Sequence, residues 1–204
     1  MRPGIRLFCI LLLGLHGAQA VHAQAAPRDA ARHQLTLKRE AHQVWGLSAP
    51  VATFAAQVHQ ESRWRANAVS PVGAQGMAQF MPATARWISG IDGQLATGDT
   101  HNPTWALRAL VVYDKWLFDR IKAVDECHRM AFTLSAYNGG LGWVYRDQAL
   151  ASGSGLDKLA WWSSVESVNA GRSAANWHEN RHYPRAIIYQ HQPLYARLGP
   201  GVCA

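Results

Sequence analysis

One glutamate, Glu61, lies where an acid could do chemistry. The residues before it, from about Pro50 onward, read as a helix with an apolar stripe that includes Phe54 and Val58. Glu61 follows Phe54 by seven residues, close to two helical turns, so both side chains project along nearly the same line. Burial beside apolar groups raises the pKa of a carboxyl group. A glutamate in such a place could stay protonated near neutral pH and act as a general acid. From the spacing alone, however, a glutamate exposed to solvent at a helix end is the commoner case.

Further ordered blocks of sequence accompany this glutamate. They are Glu-Ser at 61–62, Ser-Pro-Val-Gly-Ala-Gln-Gly at 70–76, Gly-Met-Ala-Gln-Phe-Met-Pro-Ala-Thr-Ala at 76–85, Ala-Tyr-Asn-Gly-Gly at 136–140 and Glu-Asn-Arg-His-Tyr at 179–183. Their order and spacing closely resemble the soluble-type lytic transglycosylase domain over residues 42–195. Residues 76–79, Gly-Met-Ala-Gln, depart from the Gly-Leu-Met-Gln turn that is common in that family. The small side chain of Ala78 would widen one wall of a cleft.

The resemblance implies a fold and a reaction. The fold would be an all-α, lysozyme-like helical domain with a substrate cleft, and the substrate would be the glycan strand of peptidoglycan. Glu61 would act alone, first as acid and then as base, while the C6 hydroxyl of the muramic acid closes a 1,6-anhydro ring. Such an intramolecular nucleophile gains a large effective molarity. No cofactor and no metal would be needed.

The resemblance also assigns roles to further side chains. The implied substrate-binding residues are Ser62, Gly73, Gly76, Met77, Gln79, Tyr137, Asn138 and Tyr183. Simpler explanations stay open for several of them: the glycines could serve ordinary turn geometry, Asn138 could be a helix C-cap, and Tyr183 could be a buried phenol.

Two other functions remain open at this stage. No second acid is obvious beside Glu61, because Asp92 and Asp99 lie in a glycine-rich loop that would have to fold back to reach the cleft. A hydrolytic muramidase of the goose-lysozyme kind, which also uses one glutamate, is the alternative within the enzyme class. A non-catalytic wall-binding scaffold is the alternative outside it, and the intact Glu61 argues against it.

A zinc-protease pattern, His-Glu-x-x-His, occurs at residues 178–182. The pattern requires both histidines on one helical face. Pro184 follows two residues later and disfavours helix at Tyr183, so the pentapeptide is predicted to precede a helix that Pro184 opens. No acid occurs after Glu179 to act as a third ligand, and we predict no metal site.

The N-terminus resembles a secretory signal. Arg2 and Arg6 precede a short apolar run, and small residues allow cleavage after Ala20 or Ala23. We predict a signal peptide at 1–23, a leader at 24–41, the catalytic domain at 42–199 and a tail at 200–204. The protein is predicted to be periplasmic without a stable membrane anchor, because the run is short for a bilayer.

The charge and the cysteines fit export. The net charge of +7 falls to +5 without Arg2 and Arg6, which suits an anionic partner such as peptidoglycan. The basic residues are dispersed, so nucleic acid is not an expected partner. An oxidising compartment favours a disulfide between Cys127 and Cys203, and two free thiols are the alternative. A secretion, conjugation or pilus complex is a further predicted partner.

The remaining patterns predict helices joined by short loops. Ser48 is the expected cap of the helix that carries Glu61, and Asn102 caps a core helix with Pro103 in its first turn. Further helices are expected at about 126–137 and 143–150, with a loop at 152–155 and a last helix from Pro184 to near Gly199.

Overall fold

The computed structural model describes residues 25–203, so the predicted signal peptide lies outside the described residues. Within this range the chain forms seven α-helices: α1 (Ala30–Trp45), α2 (Val51–Ser62), α3 (Pro82–Ile88), α4 (Pro103–Arg120), α5 (Glu126–Gly139), α6 (Leu141–Gly153) and α7 (Ala174–Arg185). A π-helical segment, Ala186–His191, continues α7. Three short 3₁₀ turns are Gly93–Leu95, Val165–Ser167 and Gln192–Tyr195. Pairing between extended residues in the described range is limited to isolated bridges at Val69–Gln75 and Gln75–Phe80. The all-α prediction is confirmed.

Helix α2 is the centre of the molecule. Every residue from Val51 to His59 is buried, on all sides of the helix. A helix that is buried all round must be enclosed by others, and α1, α4 and the π-helical segment pack around it. Only its last turn leaves the core, and that turn carries Glu61. The buried part of the helix fixes its position, and its last turn therefore presents the acid at a surface.

The start of α2 differs from the prediction. Ser48 is not its cap: Pro50 occupies the N-cap position and makes no side-chain capping bond. The C-terminal tail supplies partners instead, because Ala52 N donates to Pro200 O at 3.0 Å and Val202 N donates to Thr53 Oγ1 at 3.2 Å. The tail predicted as a separate segment thus satisfies polar groups in the first turn of the central helix.

The leader predicted at 24–41 is also corrected. Most of it belongs to α1, whose Leu37 and Ala41 are fully buried. Glu40 is 3% exposed and pairs with Arg108 of α4 at 3.0 Å. This helix was not predicted because its sequence is polar overall and only a narrow stripe of its residues is buried. The ion pair lets a charged residue face the core.

The C-terminal third shows the largest difference. Pro184 does not open the last helix but lies inside α7, which begins after Ser173, whose side chain accepts from Asn176 N. Proline in a helix interior removes one hydrogen bond. The chain nevertheless continues into the π-helical segment, where Ile187 and Ile188 are buried. Tertiary packing has therefore outweighed the local preference.

The other helical predictions hold with moved boundaries. Asn102 Oδ1 accepts from Thr104 N at 2.9 Å and from Trp105 N at 3.2 Å, so the predicted cap is confirmed. Helix α5 extends through Asn138, and α6 takes in part of the predicted loop at 152–155. No helix among residues 25–203 has both the length and the apolar character to cross a membrane.

A stacked pair of buried histidines lies behind the last turn of α2. The rings of His59 and His191 are 4.3 Å apart and nearly parallel. Tyr195 Oη accepts from Trp64 Nε1 at 2.9 Å and lies 3.0 Å from His59 Nδ1, so its own proton is free to be donated to a neutral His59. Burial, with the charges of His191 and Arg63, lowers the pKa of His59 to about 4. Burial also lowers the pKa of His191.

Protonation of these two histidines is therefore expected to destabilise the fold. A histidine whose folded pKa is depressed contributes stability that is present above its unfolded pKa, 6.5, and is lost as the pH falls towards 4. The contribution of His59 to the free energy of unfolding should drop by about 2 kcal/mol between pH 7.5 and pH 5. The raised pKa of Glu61 adds stability over the same fall in pH, so the histidine contribution is measured by comparison with variants. In urea denaturation at both values, His191→Gln should lose less stability on acidification than the wild type, whereas the exposed His178→Gln should match the wild type. Equal changes in all three proteins would contradict the assignment.

Candidate active site

A cleft with a cavity volume of about 430 Å³ opens at the end of α2. Its lining comes from four parts of the chain: Gln60 and Glu61 of α2; Ser70, Val72, Ala74, Gln79, Phe80, Met81 and Thr84 of the loop and α3; Tyr137 and Asn138 of α5; Glu179, His182 and Tyr183 of α7. Five predicted site residues therefore meet here: Glu61, Gln79, Tyr137, Asn138 and Tyr183.

Glu61 is held as a protonated acid at neutral pH. Burial raises its pKa from 4.5 to about 8. The hydroxyl of Tyr183 donates to Glu61 Oε1, which favours the carboxylate and opposes part of that rise. The negative charge of Glu179 adds to the rise. A glutamic acid that is neutral at pH 7, yet has a partner ready to stabilise its anion, suits a group that gives up and takes back a proton.

The loop before α3 forms one wall of the cleft. Ser70 N and Ala74 O, and then Gln75 and Phe80, pair across it through backbone hydrogen bonds. Gln79 adopts a left-handed conformation, φ 51°, and its amide nitrogen donates to Gly76 O at 2.8 Å. Gln79 thus lines the cleft while its own amide group stiffens the wall behind it.

Three residues predicted to bind substrate support this wall from behind. Ser62 is 2% exposed and donates to Met77 O at 2.7 Å, and Met77 itself is fully buried. A side chain built at Gly76 would place its Cβ 1.8 Å from Thr100 O, so the close backbone approach is to the segment before α4 rather than to a sugar. None of the three lines the cleft itself.

Gly73 lies at the open end of the same loop. Its φ is 89°, a conformation that glycine adopts freely, and a Cβ built at this position would have no neighbour within 4 Å. Gly73 does not itself line the cleft, although its neighbours Val72 and Ala74 do. The geometry therefore favours a turn role at this position.

The side of the cleft formed by α5 is tied to the loop and to α7. Tyr137 Oη donates to Ala78 O at 2.7 Å, and burial raises the pKa of this phenol well above its usual value. Asn138 is inside α5 rather than its C-cap, which is Gly140. Its Oδ1 accepts from Asn180 at 3.0 Å, and its Nδ2 donates to Glu179 at 3.3 Å.

Helix α7 carries Tyr183 and is anchored by a buried ionic group. Asp147 of α6 is completely buried and pairs with both Arg172 and Arg181, the latter at 2.8 Å. Breaking one partner of such a group leaves an uncompensated buried charge, which is costly. Asn180 adds a bond from its amide to Ser135 O at 2.9 Å. The phenol that contacts Glu61 is thus set by a rigid support.

Glu179 is a site residue that the sequence interpretation missed. It is exposed at the cleft, four residues before Tyr183 on the same helix. Residues four apart on a helix share a face, so the predicted position of Tyr183 would have revealed Glu179 if α7 had been recognised. The mistaken helix start at Pro184 removed that signal. Asp92 and Asp99 do not line the cleft: Asp92 pairs with Arg108 at 2.7 Å.

A second missed acid, Asp114, lies wholly inside the protein. Burial raises its pKa well above its usual range, and the charge of Glu61 raises it further. Gln57 Nε2 lies 3.4 Å from Asp114 Oδ1, while Gln57 Oε1 and Asp114 Oδ2 are buried and have no other polar partner among the described residues. A proton on Oδ2 donated to Gln57 Oε1 would satisfy both atoms. Burial and this pairing therefore favour the neutral form of Asp114.

The zinc-protease pattern lies within a helix in the structure, contrary to the prediction. His178 and His182 both lie on α7, so the predicted obstacle at Pro184 does not exist. Within residues 25–203, no three His, Cys, Asp or Glu residues form a group that could hold a metal ion. His182 and Glu179 instead border the cleft.

Comparisons with known proteins agree with this geometry. The sequence profile described as Transglycosylase SLT domain matches residues 38–160, which leaves Glu179 and Tyr183 beyond the matched stretch. The membrane-bound lytic murein transglycosylase F of Shewanella loihica is 36% identical over 109 residues, or 53% of this chain and 21% of that protein. Its counterpart in Maricaulis maris is 35% identical, again over 53% of this chain and 22% of that protein.

Among solved structures, the 70 kDa soluble lytic transglycosylase Slt70 of Escherichia coli superposes with a TM-score of 0.57 and 20% identity. The match covers 81% of this chain and 24% of Slt70, so the chain spans about a fifth to a quarter of the relatives it matches. The predicted lysozyme-like fold is confirmed by this likeness. Since the profile covers more than half of the sequence, the chain belongs to the family of Transglycosylase SLT domains.

Proposed function

We propose that this protein cleaves the glycan strand of peptidoglycan between N-acetylmuramic acid and N-acetylglucosamine, and leaves a 1,6-anhydro end. The observation that carries the proposal is the state of Glu61: a carboxylic acid with a pKa near 8, hydrogen-bonded to Tyr183 in an open cleft. Membership of the SLT family and the murein transglycosylases among its relatives support the choice of substrate.

In the proposed first step, Glu61 gives its proton to the glycosidic oxygen as the C1–O bond of the muramic acid breaks. The leaving N-acetylglucosamine end thus becomes a free hydroxyl. Glu61 is left as a carboxylate, which the Tyr183 hydroxyl stabilises by the hydrogen bond it already makes. Positive charge develops at the sugar ring while the anion forms beside it.

In the second step, the Glu61 carboxylate takes the proton of the C6 hydroxyl of the same muramic acid. The C6 oxygen bonds to C1 and closes the anhydro ring, and Glu61 is restored as an acid. Water neither enters nor leaves the balance. The remaining cleft residues hold the sugars. Gln79 offers its amide oxygen, since its amide nitrogen is bonded within the wall, and Asn138 offers the second hydrogen of its amide. Tyr137 forms a firm wall through its bond to Ala78.

Hydrolysis is the second candidate, and one observation favours it. Glu179 lies in the same cleft as Glu61, and two-carboxylate glycosidases use a second acid to activate water or to attack the sugar. Mass spectrometry of the muropeptides released from purified sacculi separates the two reactions. Anhydro ends, lighter by one water than reducing ends, support the transglycosylase; reducing ends support the hydrolase. Release of no product by active-site-intact protein would favour a wall-binding scaffold.

The pH dependence tests the state of Glu61. The reaction needs the acid form, so kcat/KM should fall as the pH rises above about 8. Tyr183→Phe removes the hydrogen bond that lowers the pKa of Glu61, so this decline should move to higher pH while the maximum rate decreases. Initial rates of sacculus solubilisation from pH 5 to pH 10 measure both effects. A decline that stays in place, or moves to lower pH, would contradict the assignment.

We also propose a periplasmic location, which rests on the predicted signal at 1–23 and on a wall substrate. Action beside a secretion, conjugation or pilus complex is a finer proposal, supported only by the sequence resemblance. Unchanged secretion and conjugation in a deletion strain would speak against that role.

A further inference from the structure

Trp87 is the tryptophan that differs from the rest. All nine tryptophans fall within the described residues, and Trp87 is the most exposed of them, at 41%. An indole buries a large apolar area when it is covered, so leaving it open to water forgoes stabilisation. Beside a cleft, an indole of this kind can offer its uncovered part to a ligand.

Two independent structural observations place Trp87 beside the cleft. Along α3 it follows Thr84, which lines the cleft, by three residues, and such side chains are neighbours on a helix surface. Across the helices its ring contacts Tyr113, with centroids 5.7 Å apart, and Tyr113 contacts the cleft residue Tyr137 at 5.3 Å. Both lead to side chains that share the cleft with Glu61.

The indole of Trp87 is fixed in place by its neighbours. Trp116 meets it edge-on with centroids 4.9 Å apart, and Tyr113 meets it at a similar angle. Trp116 in turn lies under the guanidinium of Arg120 at 3.8 Å. A ring held on two sides and open on another is a preorganised stacking surface, which binds a ligand without first losing side-chain freedom.

We propose that Trp87 forms an additional glycan subsite, in which a sugar ring of the strand stacks on the exposed indole as the strand leaves the central cleft over Thr84. This inference rests on the proposed function, since its ligand is the same strand. The apolar face of a pyranose ring suits an indole, and Met81, 44% exposed, adds apolar surface to the cleft itself. The subsite would favour long strands over short fragments.

A binding experiment tests the subsite without turnover. Glu61→Gln protein is titrated against purified sacculi and the bound fraction is measured by sedimentation, alone and combined with Trp87→Ala, Trp87→Phe or Leu47→Ala. Trp87→Ala should weaken binding by about three- to tenfold. Trp87→Phe, which keeps a ring among Tyr113 and Trp116, should fall between. Leu47 is an 85% exposed side chain outside the cleft lining, so its change should have no effect.

Strand length provides the second readout, with Glu61 intact. Trp87→Ala should raise KM for long glycan strands and leave kcat unchanged, and it should leave a short oligosaccharide that fills only the central cleft unaffected. Equal losses on long and short substrates would overturn the proposal, because the indole would then only support the wall. Unchanged binding and KM on long strands would overturn it as well.

Failure of the proposed function would give different experimental results from failure of the subsite alone. If Glu61→Gln protein does not bind sacculi and the wild type releases no muropeptides, the glycan substrate itself is wrong and the subsite falls with it. If the wild type releases anhydro-muropeptides and Trp87→Ala matches it throughout, only the subsite is wrong. Self-association that disappears in Trp87→Ala, without any change in glycan binding, would assign the indole to a protein contact instead.

Discussion

Replacing Glu61 by glutamine is expected to lower the release of muropeptides by about 10³-fold or more. The amide has nearly the same shape but has no proton to give to the leaving oxygen. Quantification of released products over time measures the loss. The fold should survive, because the substitution removes a group whose ionisation the buried site disfavours. In the folded protein the pKa of Glu61 is raised to about 8. The contribution of its protonated form to the free energy of unfolding is therefore complete below pH 4.5 and is lost as the pH rises through 8.

The matched control is Glu179→Gln, a change in the other acid of the same cleft. Glu179 is exposed and its charge raises the pKa of Glu61. Its neutralisation should therefore shift the alkaline decline in rate to lower pH and reduce the rate at pH 6 only a few-fold, or about 1 kcal/mol. A loss as deep as that of Glu61→Gln, together with reducing-end products, would show that both carboxylates take part and that the enzyme is a hydrolase.

Replacing Cys127 and Cys203 by serine is expected to lower the free energy of unfolding by about 4 kcal/mol. The two residues are bonded in the structure and are 76 positions apart. Opening so long a loop enlarges the freedom of the unfolded chain. The folded state would lose as well, because the bond joins α5 to the tail that contacts the first turn of α2. Urea denaturation, with and without reductant, measures the change.

The controls for the disulfide separate the bond from the side chains. Reduction of the wild type should reproduce the destabilisation of the double serine variant, and reductant should leave the variant unchanged. Midpoints that are the same for oxidised wild type, reduced wild type and variant would indicate two free thiols in solution.

The central helix could be predicted because its sequence is consistent at every level. Its apolar stripe, the position of Glu61 and the core helix capped by Asn102 all follow from local spacing. Helix α1 could not be found in this way, because the pairing of Glu40 with Arg108 joins positions 68 apart. The path of the chain through Pro184 likewise depends on buried contacts far along the sequence.

The same difference between local patterns and long-range contacts decided which site residues could be predicted. Glu61 and Tyr183 came from the family motifs, and the structure brings them into contact. The motifs do not distinguish a residue that touches the cleft from one that holds its wall. Ser62 and Met77, both predicted to bind substrate, lie buried behind that wall. Asp114 could not be predicted as a buried acid from the sequence. Its burial becomes evident only when the helix packed against it, which carries Gln57, is known.

The two loop glycines should differ sharply in the substitutions they accept. At position 73 the backbone is left-handed but uncrowded, so asparagine or aspartate, which tolerate that conformation, should be admitted. At position 76 any Cβ would run into the carbonyl of Thr100, so only glycine fits. Saturation mutagenesis scored by wall lysis would therefore recover functional alleles at 73 and none at 76. In this loop, the freedom of a sequence to vary is set by the space beside a backbone atom rather than by proximity to the sugar.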